Sequence, residues 1–297
     1  IPVFVDIDPV TGNIDPLLVA QAARDLAQGG EAAQKWLPRK LPVPAGKLKA
    51  ILPVDVFGQP AAMEQINAVA RERGLTAIED SCEGIGALRN GQKAGTFGDF
   101  GIFAFYPNKQ MTTGEGGLVI TDDEKAANLM RALRNQGRAP GDTWLSHTYL
   151  GYNYRLDEMS AALGLAQMRR LDEMLAKRAV VAGWYAEGLS DIPGVEIPVV
   201  LPETTRMSWF VYVIRLAKDT DRSELAKRLE ARGVPIRPST VSRARGDDAA
   251  HGGEVVGMPE LTRDAHEVGE IEMAEPQGVD AVDGGDGVDG GKALGRL

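Results

Sequence analysis

The sequence predicts an α/β fold: a large domain built on a mostly parallel sheet covered by helices, followed by a smaller α/β domain. Two observations carry this. Short apolar runs, "IPVFVDI", "LKAILPVDV" and "LTAIED", alternate with stretches of helical period, the pattern of parallel strands buried on both faces. The helical stretches also carry start and stop signals, Asp15 and Pro16 opening "DPLLVAQAARDLA" and Gly74 closing "MEQINAVARERG".

Taken in order, "IPVFVDI" reads as a strand, "DPLLVAQAARDLA" as a helix and "LKAILPVDV" as a second strand. Between the last two, "GGEAAQKWLPRKLPVPAG" has no period and reads as a surface insertion. "MEQINAVARERG" is a helix and "LTAIED" a strand; "DFGIFAFY" and "GEGGLVITDD" are two further strands, joined by the segment that holds Lys109. A helix over "DEKAANLMRALRNQG" follows. The stretch "LDEMSAALGLAQMRRLDEMLAKRAVVAGWYAEGL" then reads as one long amphipathic helix, with Leu163, Met168, Leu171 and Leu175 near helical spacing, and as a hinge between domains. Beyond it, "MSWFVYVIRL" is a strand, "DRSELAKRLEARG" a helix closed by Gly233, and "VPIRP" the start of another strand. These readings place a large domain at 1–165, a smaller one at 166–240 and a tail at 241–297.

Composition narrows the function. A net charge of -9 and a pI near 5.0 argue against nucleic acid and anionic membrane as partners. No apolar run approaches the roughly 18 residues of a membrane helix. The lone Cys82 allows no intrachain disulfide and no cysteine-cluster zinc site, so no metal is expected, and it fits a reducing cytoplasm. The first residues enter directly into a strand-like run without methionine, which leads us to expect a preceding N-terminal piece. All seventeen aromatic residues lie at or before Tyr212, and the final "GVDAVDGGDGVDGGKALGRL" is low-complexity, so the tail is read as a solvated, disordered segment.

Two residues draw chemical attention. A lysine attacks carbonyls only as the neutral amine, which requires removal from bulk water. Lys109 follows Phe103, Phe105 and Tyr106 and precedes Gly114, Gly116 and Gly117, so aromatic walls and close backbone approach are both available; the alternative is an ordinary solvated charge. Asp80 closes an apolar strand, where ligands of open α/β sheets bind; the alternative is that it caps the next turn. Pyridoxal 5'-phosphate explains both at once, because it needs a lysine for its Schiff base and a carboxylate against its pyridine nitrogen.

At this point the motifs "PVFVDIDP", "PVDVFGQPA", "IEDSCEGIGA", "GTFGDFGIFAFYPNKQMTTGEGG" and "LGYNYRLDEMSAALGLAQM" can be taken together. In this order, the chain from residue 1 to about 238 resembles the DegT/DnrJ/EryC1/StrS family of pyridoxal-phosphate-dependent sugar aminotransferases. The resemblance implies an aspartate-aminotransferase-like large domain (fold type I) and a homodimer with shared active sites. It also implies transfer of an amino group from glutamate or glutamine to a keto sugar, most often a nucleotide-linked keto-deoxyhexose. By the same resemblance Lys109 matches the Schiff-base lysine; some relatives carry histidine there and perform dehydration. Asp80 matches the carboxylate facing the pyridine nitrogen. Glu83 falls where many relatives carry a glutamine bonded to the ring hydroxyl. Asn153 and Arg155 match the segment that reaches the phosphate from the neighbouring subunit.

There are departures. Ala104 stands where several relatives place a phosphate-binding serine, and relatives continue past "GVPIRP" into a segment unlike "STVSRARGDDAAHGGE", which we read as a change of reading frame near Pro238. Two alternatives accompany the sugar aminotransferase reading: transamination of a keto-inositol, and a non-catalytic homologue acting as dimer partner or regulatory remnant.

Overall fold

The structure, a computed structural model, describes residues 1–38, 46–234, 236–239 and 254–257. Its helices are α1 (Pro16–Gln28), α2 (Gly30–Gln34), α3 (Met63–Arg73), α4 (Glu124–Arg134), α5 (Glu158–Met168), α6 (Leu171–Leu189) and α7 (Arg222–Glu230). Its strands are β1 (Ala50–Ile51), β2 (Thr76–Asp80), β3 (Leu88–Arg89), β4 (Gln92–Lys93), β5 (Phe100–Ala104), β6 (Gly117–Ile120), β7 (Val195–Glu196), β8 (Thr204–Arg206), β9 (Val213–Leu216), β10 (Arg237–Ser239) and β11 (Glu254–Gly257).

Local chemistry explains the ends of the elements. The Asp15 carboxylate accepts the Leu17 and Leu18 amides at the start of α1, with Pro16 at the first helical position where no amide hydrogen is needed. Gly74 ends α3 at φ 62°, the left-handed conformation that lets its amide return to the last turn without a Cβ clash. Asp123, Asp157 and Asp221 cap α4, α5 and α7 in the same way as Asp15.

The central sheet has the order β1-β2-β5-β6. β1, β2 and β5 run parallel, with Asp80 opposite Ile102, and β6 returns antiparallel against β5. Beneath it, α1 and α3 close a core of Val19, Ile51, Met63, Ile66 and Ala77. A second sheet, β10-β11-β9-β7, is antiparallel and packs on Ala182, Tyr212, Ile214, Leu216 and Ala226. A third core of Ile85, Phe105, Met111, Leu171 and Leu175 ties α6 to the region around Lys109.

The structure corrects several element readings. "IPVFVDI" forms no strand: among the described residues it finds no partner beyond a bridge of Ile7 to Ile14, Phe4 is exposed, and Asp8 instead closes a turn onto the Val10 and Thr11 amides. "LKAILPVDV" is cut short because Pro53 has no amide to donate, so pairing resumes only as a bridge from Val54 to Asp80. The long helix is two. Arg169 and Arg170 turn the chain between α5 and α6, which frees α6 to bury Leu171, Leu175, Arg178 and Ala182 along one stripe while α5 leaves Leu163 and Met168 exposed. Residue 165 lies inside α5. Within the stretch read as a tail, β11 inserts between β10 and β9; the final low-complexity residues lie outside the described ones, as does part of the insertion after Leu37.

Candidate active site

β2 and β5 are parallel neighbours, so the chain leaves both at the same edge of the sheet. Asp80 is the last residue of β2, and the Ser81 amide donates to the Ile102 carbonyl, holding the exit of β2 against β5. β5 ends at Ala104, paired with Gly117, and the turn that follows carries Lys109. That turn is closed by its own backbone: the Lys109 amide donates to the Tyr106 carbonyl at 3.0 Å, the Thr113 amide to Phe105 at 3.0 Å and the Phe105 amide to Gly116 at 2.9 Å. Phe105 and Met111 bury its base, leaving the lysine at the rim.

The Lys109 side chain is only 15% exposed. Its Nζ lies 3.7 Å from Glu83 Oε1 and 4.2 Å from the centroid of the Phe210 ring. The other Glu83 oxygen accepts the Phe57 amide at 2.9 Å, which fixes the carboxylate. Asp80 Oδ1 accepts the Cys82 amide at 3.1 Å. Burial and the hydrogen bond and negative charge of Asp80 push the Cys82 thiol up to about 12, so the one cysteine stays protonated and is no nucleophile at neutral pH.

Behind Asp80 stand two fully buried acids, Asp55 and Glu79. Asp55 accepts the Ser81 hydroxyl at 2.6 Å and the Ala61 amide at 2.8 Å; Glu79 accepts the Phe97 amide at 2.9 Å. Burial, with the Glu79 charge next, raises Asp55 to about 7, and burial raises Glu79 as well, so this pair carries a proton that exposed acids would have lost.

The structure thus brings Lys109, Asp80 and Glu83 to one sheet edge. Asn153 and Arg155 stand elsewhere, both exposed: Arg155 Nη1 donates to Asn135 Oδ1 at 3.0 Å, and Asn153 bridges Asn135. Around them the surface is apolar, with Leu150 94%, Tyr154 72% and Met159 84% exposed. Sequence reasoning missed the bonds that tie the Lys109 turn and the Glu83 loop to the segment between β8 and β9, and that segment to α6. Gln110 Nε2 donates to Ser208 Oγ at 2.6 Å and to the Glu83 carbonyl, and buried Arg178 donates to the carbonyls of Trp209 and Phe210 at 2.9 and 3.2 Å. Gly58 makes this junction possible: a Cβ there would stand 2.7 Å from the Trp209 amide nitrogen. Phe57 and Trp209, at φ 61° and 50°, are held in the left-handed region, which costs about 1–3 kcal/mol each. The local signal available was "MSWFVYVIRL", whose aromatics also suit an ordinary strand.

The comparisons with known proteins bear on this arrangement. The chain is 38% identical over 239 residues to the GDP-perosamine synthase of Caulobacter vibrioides, covering 80% of this chain and 58% of that protein. Among solved structures, it is similar to a DegT DnrJ EryC1 StrS aminotransferase from Brucella abortus (TM-score 0.72, 30% identity, covering 87% of this chain and 68% of that one). It is also similar to the E. coli GDP-4-keto-6-deoxy-D-mannose-3-dehydratase with bound hydrated PLP (TM-score 0.65, 29% identity, 79% and 59%). The chain spans a little over half the length of curated relatives such as the Caulobacter protein. The model of the DegT/DnrJ/EryC1/StrS aminotransferase family matches residues 1–242, and the chain belongs to that family.

Proposed function

We propose that this chain carries the cofactor-binding core of a pyridoxal-phosphate-dependent sugar aminotransferase, with Lys109 as the amine that bonds the cofactor. The observation that carries the reading is the sheltered Lys109 amine at the same sheet edge as Asp80, the last residue of the neighbouring strand. The donor set fits the ring end of the cofactor: an amine for the aldehyde, a carboxylate for the pyridine nitrogen and Glu83 for the ring hydroxyl. For the phosphate, Ala104 offers no hydroxyl, and the reading assigns the contact to Asn153 and Arg155 of a second copy. When bound, pyridoxal phosphate supplies an electron sink that lets an amino group be removed from one carbon and installed on another.

The residues of this chain have separate tasks. Asp80 holds the pyridine nitrogen and, as a carboxylate, favours its protonated form. Lys109 Nζ, sheltered at the rim of the turn, would as the free amine take a proton from the donor's α-carbon and return it to the carbon on the far side of the transferred nitrogen. Phe105, Phe210 and the turn backbone exclude water from that amine. We read the donor as glutamate or glutamine and the acceptor as a nucleotide-linked keto-deoxyhexose; the names of the GDP-sugar relatives support the sugar class. Lysine at position 109 favours amino transfer over dehydration. The exposed apolar face around Asn153 and Arg155 supports a homodimer that shares its sites, since patches of this kind mark protein contacts. A cytoplasmic location rests on the lone Cys82; among the described residues no helix is long and apolar enough to cross a membrane.

The test is direct. The purified chain is mixed with pyridoxal phosphate, reduced with borohydride and digested. The reading expects the added cofactor mass on the peptide that contains Lys109; attachment elsewhere, or none, would overturn it. Coupled assays with nucleotide keto sugars and keto-inositols then decide the acceptor.

A further inference from the structure

We propose that Phe210, carried in by the segment leading to β9, is the docking face for the Lys109 ammonium before it meets the cofactor, so that this segment sets where Nζ stands. The proposal rests on the role given to Lys109 above and goes beyond it. A lysine amine ends a four-carbon stem with many rotamers, and a reactive amine left to wander loses rate in proportion to the time spent out of position. Glu83 alone does not settle that position. At 3.7 Å its oxygen attracts the amine without a directed hydrogen bond, and its partner oxygen is already committed to the Phe57 amide.

The Phe210 ring supplies the missing direction. Its face carries the negative side of the aromatic quadrupole, and Nζ sits over it at 4.2 Å. The ring is 8% exposed and is fixed through its own backbone on both sides. The Phe210 amide donates to the Phe57 carbonyl at 3.1 Å, the Ser208 amide to Gly58 at 3.0 Å, and Arg178 of α6 grips the Trp209 and Phe210 carbonyls. Gln110, next to Lys109 in sequence, closes the loop by donating to Ser208 Oγ, which in turn donates to the Ile85 carbonyl at 2.7 Å. The lysine turn, the Glu83 loop and the Phe210 segment are thereby one hydrogen-bonded unit. The left-handed Phe57 and Trp209 flank its crossing, the kind of conformation that persists only where surrounding bonds over-determine it.

Phe210→Leu keeps an apolar side chain and removes the quadrupole; Phe210→Tyr restores the ring. The cofactor-free full chain is labelled with ¹³C at the lysine ε-carbon, and the Lys109 signal is assigned by its loss in Lys109→Met. We expect ε-protons shifted upfield of the other lysines in the parent and in Phe210→Tyr, and returned among them in Phe210→Leu. Covalent capture of pyridoxal phosphate by the parent is followed by absorbance alongside the spectra. An unshifted Lys109 signal in the parent, or a signal that Phe210→Leu leaves in place, overturns the proposal. A parent chain with the upfield signal and no capture refutes the role of Lys109 in cofactor binding while supporting the docking.

Discussion

The turn that carries Lys109 and the segment that carries Asn153 and Arg155 are built in opposite ways. Around Lys109 most apolar side chains point inward: Phe105, Met111 and Phe210 are buried while Tyr106 is half exposed, and Glu83, Gln110 Nε2 and Ser208 find bonds within the chain. Around Asn153 the apolar side chains point out. Leu150, Tyr152, Tyr154 and Met159 are exposed, and Tyr152 and Tyr154 stack on each other at 5.0 Å. Among the described residues the first region is held mainly by bonds within the chain, although Asn108 Oδ1 and Gln110 Oε1 are buried without a partner, while the second turns its apolar side chains to the surface. The site proposed above takes the amine from one copy of the chain and Asn153 and Arg155 from another.

The comparison can be broken first at its self-contained half. Lys109→Ala removes the amine proposed to bond the cofactor, so amino transfer should fall by at least about a thousandfold, measured as product formed per active site with saturating cofactor. Near-parental turnover in this variant would remove the region from the chemistry. Next in size is Asp80→Asn. The amide keeps the shape and cannot hold a positive ring nitrogen, so kcat should fall about a hundredfold with the cofactor still bound. If only affinity changes and kcat is kept, Asp80 serves the turn at Cys82 and not the ring.

The outward-facing half is tested by charge. Leu150→Glu sets a carboxylate on a side chain that is 94% exposed in the single chain, so stability of the subunit should change by no more than about 0.5 kcal/mol. If the face is a subunit contact, the same change weakens association by about tenfold or more, read by sedimentation at several concentrations, and activity follows the dimer fraction. A parent that is monomeric at every concentration would break the contrast between the two regions.

What could be read from the sequence separates along the same line between local and distant bonding. β2, β5 and β6, and the helices opened by Asp15 and closed by Gly74, were legible because period and caps are local properties of the chain. The positions of Asp80, last in β2, and of the turn after β5 that carries Lys109 were legible for a related reason: each belongs with a strand whose apolar run is plain in the sequence. Residues 1–7 misled because a strand-like run is a strand only where a partner strand is at hand, and the long helix misled because its two halves share a period while burying different stripes. Phe57, Phe210 and Arg178 could not be found at all. Each meets Glu83, Lys109 or its neighbours across a large gap in sequence, and nothing in "DVFG" or "SWFV" says which of several aromatics will turn toward an amine. Asp55 and Glu79 were hidden similarly, Glu79 as a polar letter inside β2 and Asp55 as one just past the Val54 bridge, because a buried acid is recognised only by the partners that the fold brings around it.

That pair gives the sharpest view of how the inward half is held. With Asp55 raised from 3.8 to about 7, the folded chain binds a proton that the unfolded chain has already released. The unfolded state therefore holds fewer protons across that window, so stability is fully present below about pH 4 and is lost as pH rises toward about 7, by on the order of a few kcal/mol. Asp55→Asn keeps an oxygen for the Ala61 amide and places a permanent N–H donor where the protonated acid had its single proton, while Glu79 keeps the Phe97 amide. Urea melts should show the variant losing much less stability between pH 5 and pH 8 than the parent, with the two closest at the acid end and the variant the more stable at pH 8. Parallel slopes in the two proteins would mean that Asp55 is ionised in the folded chain, and that the support beneath Asp80 is a charged contact and not a shared proton.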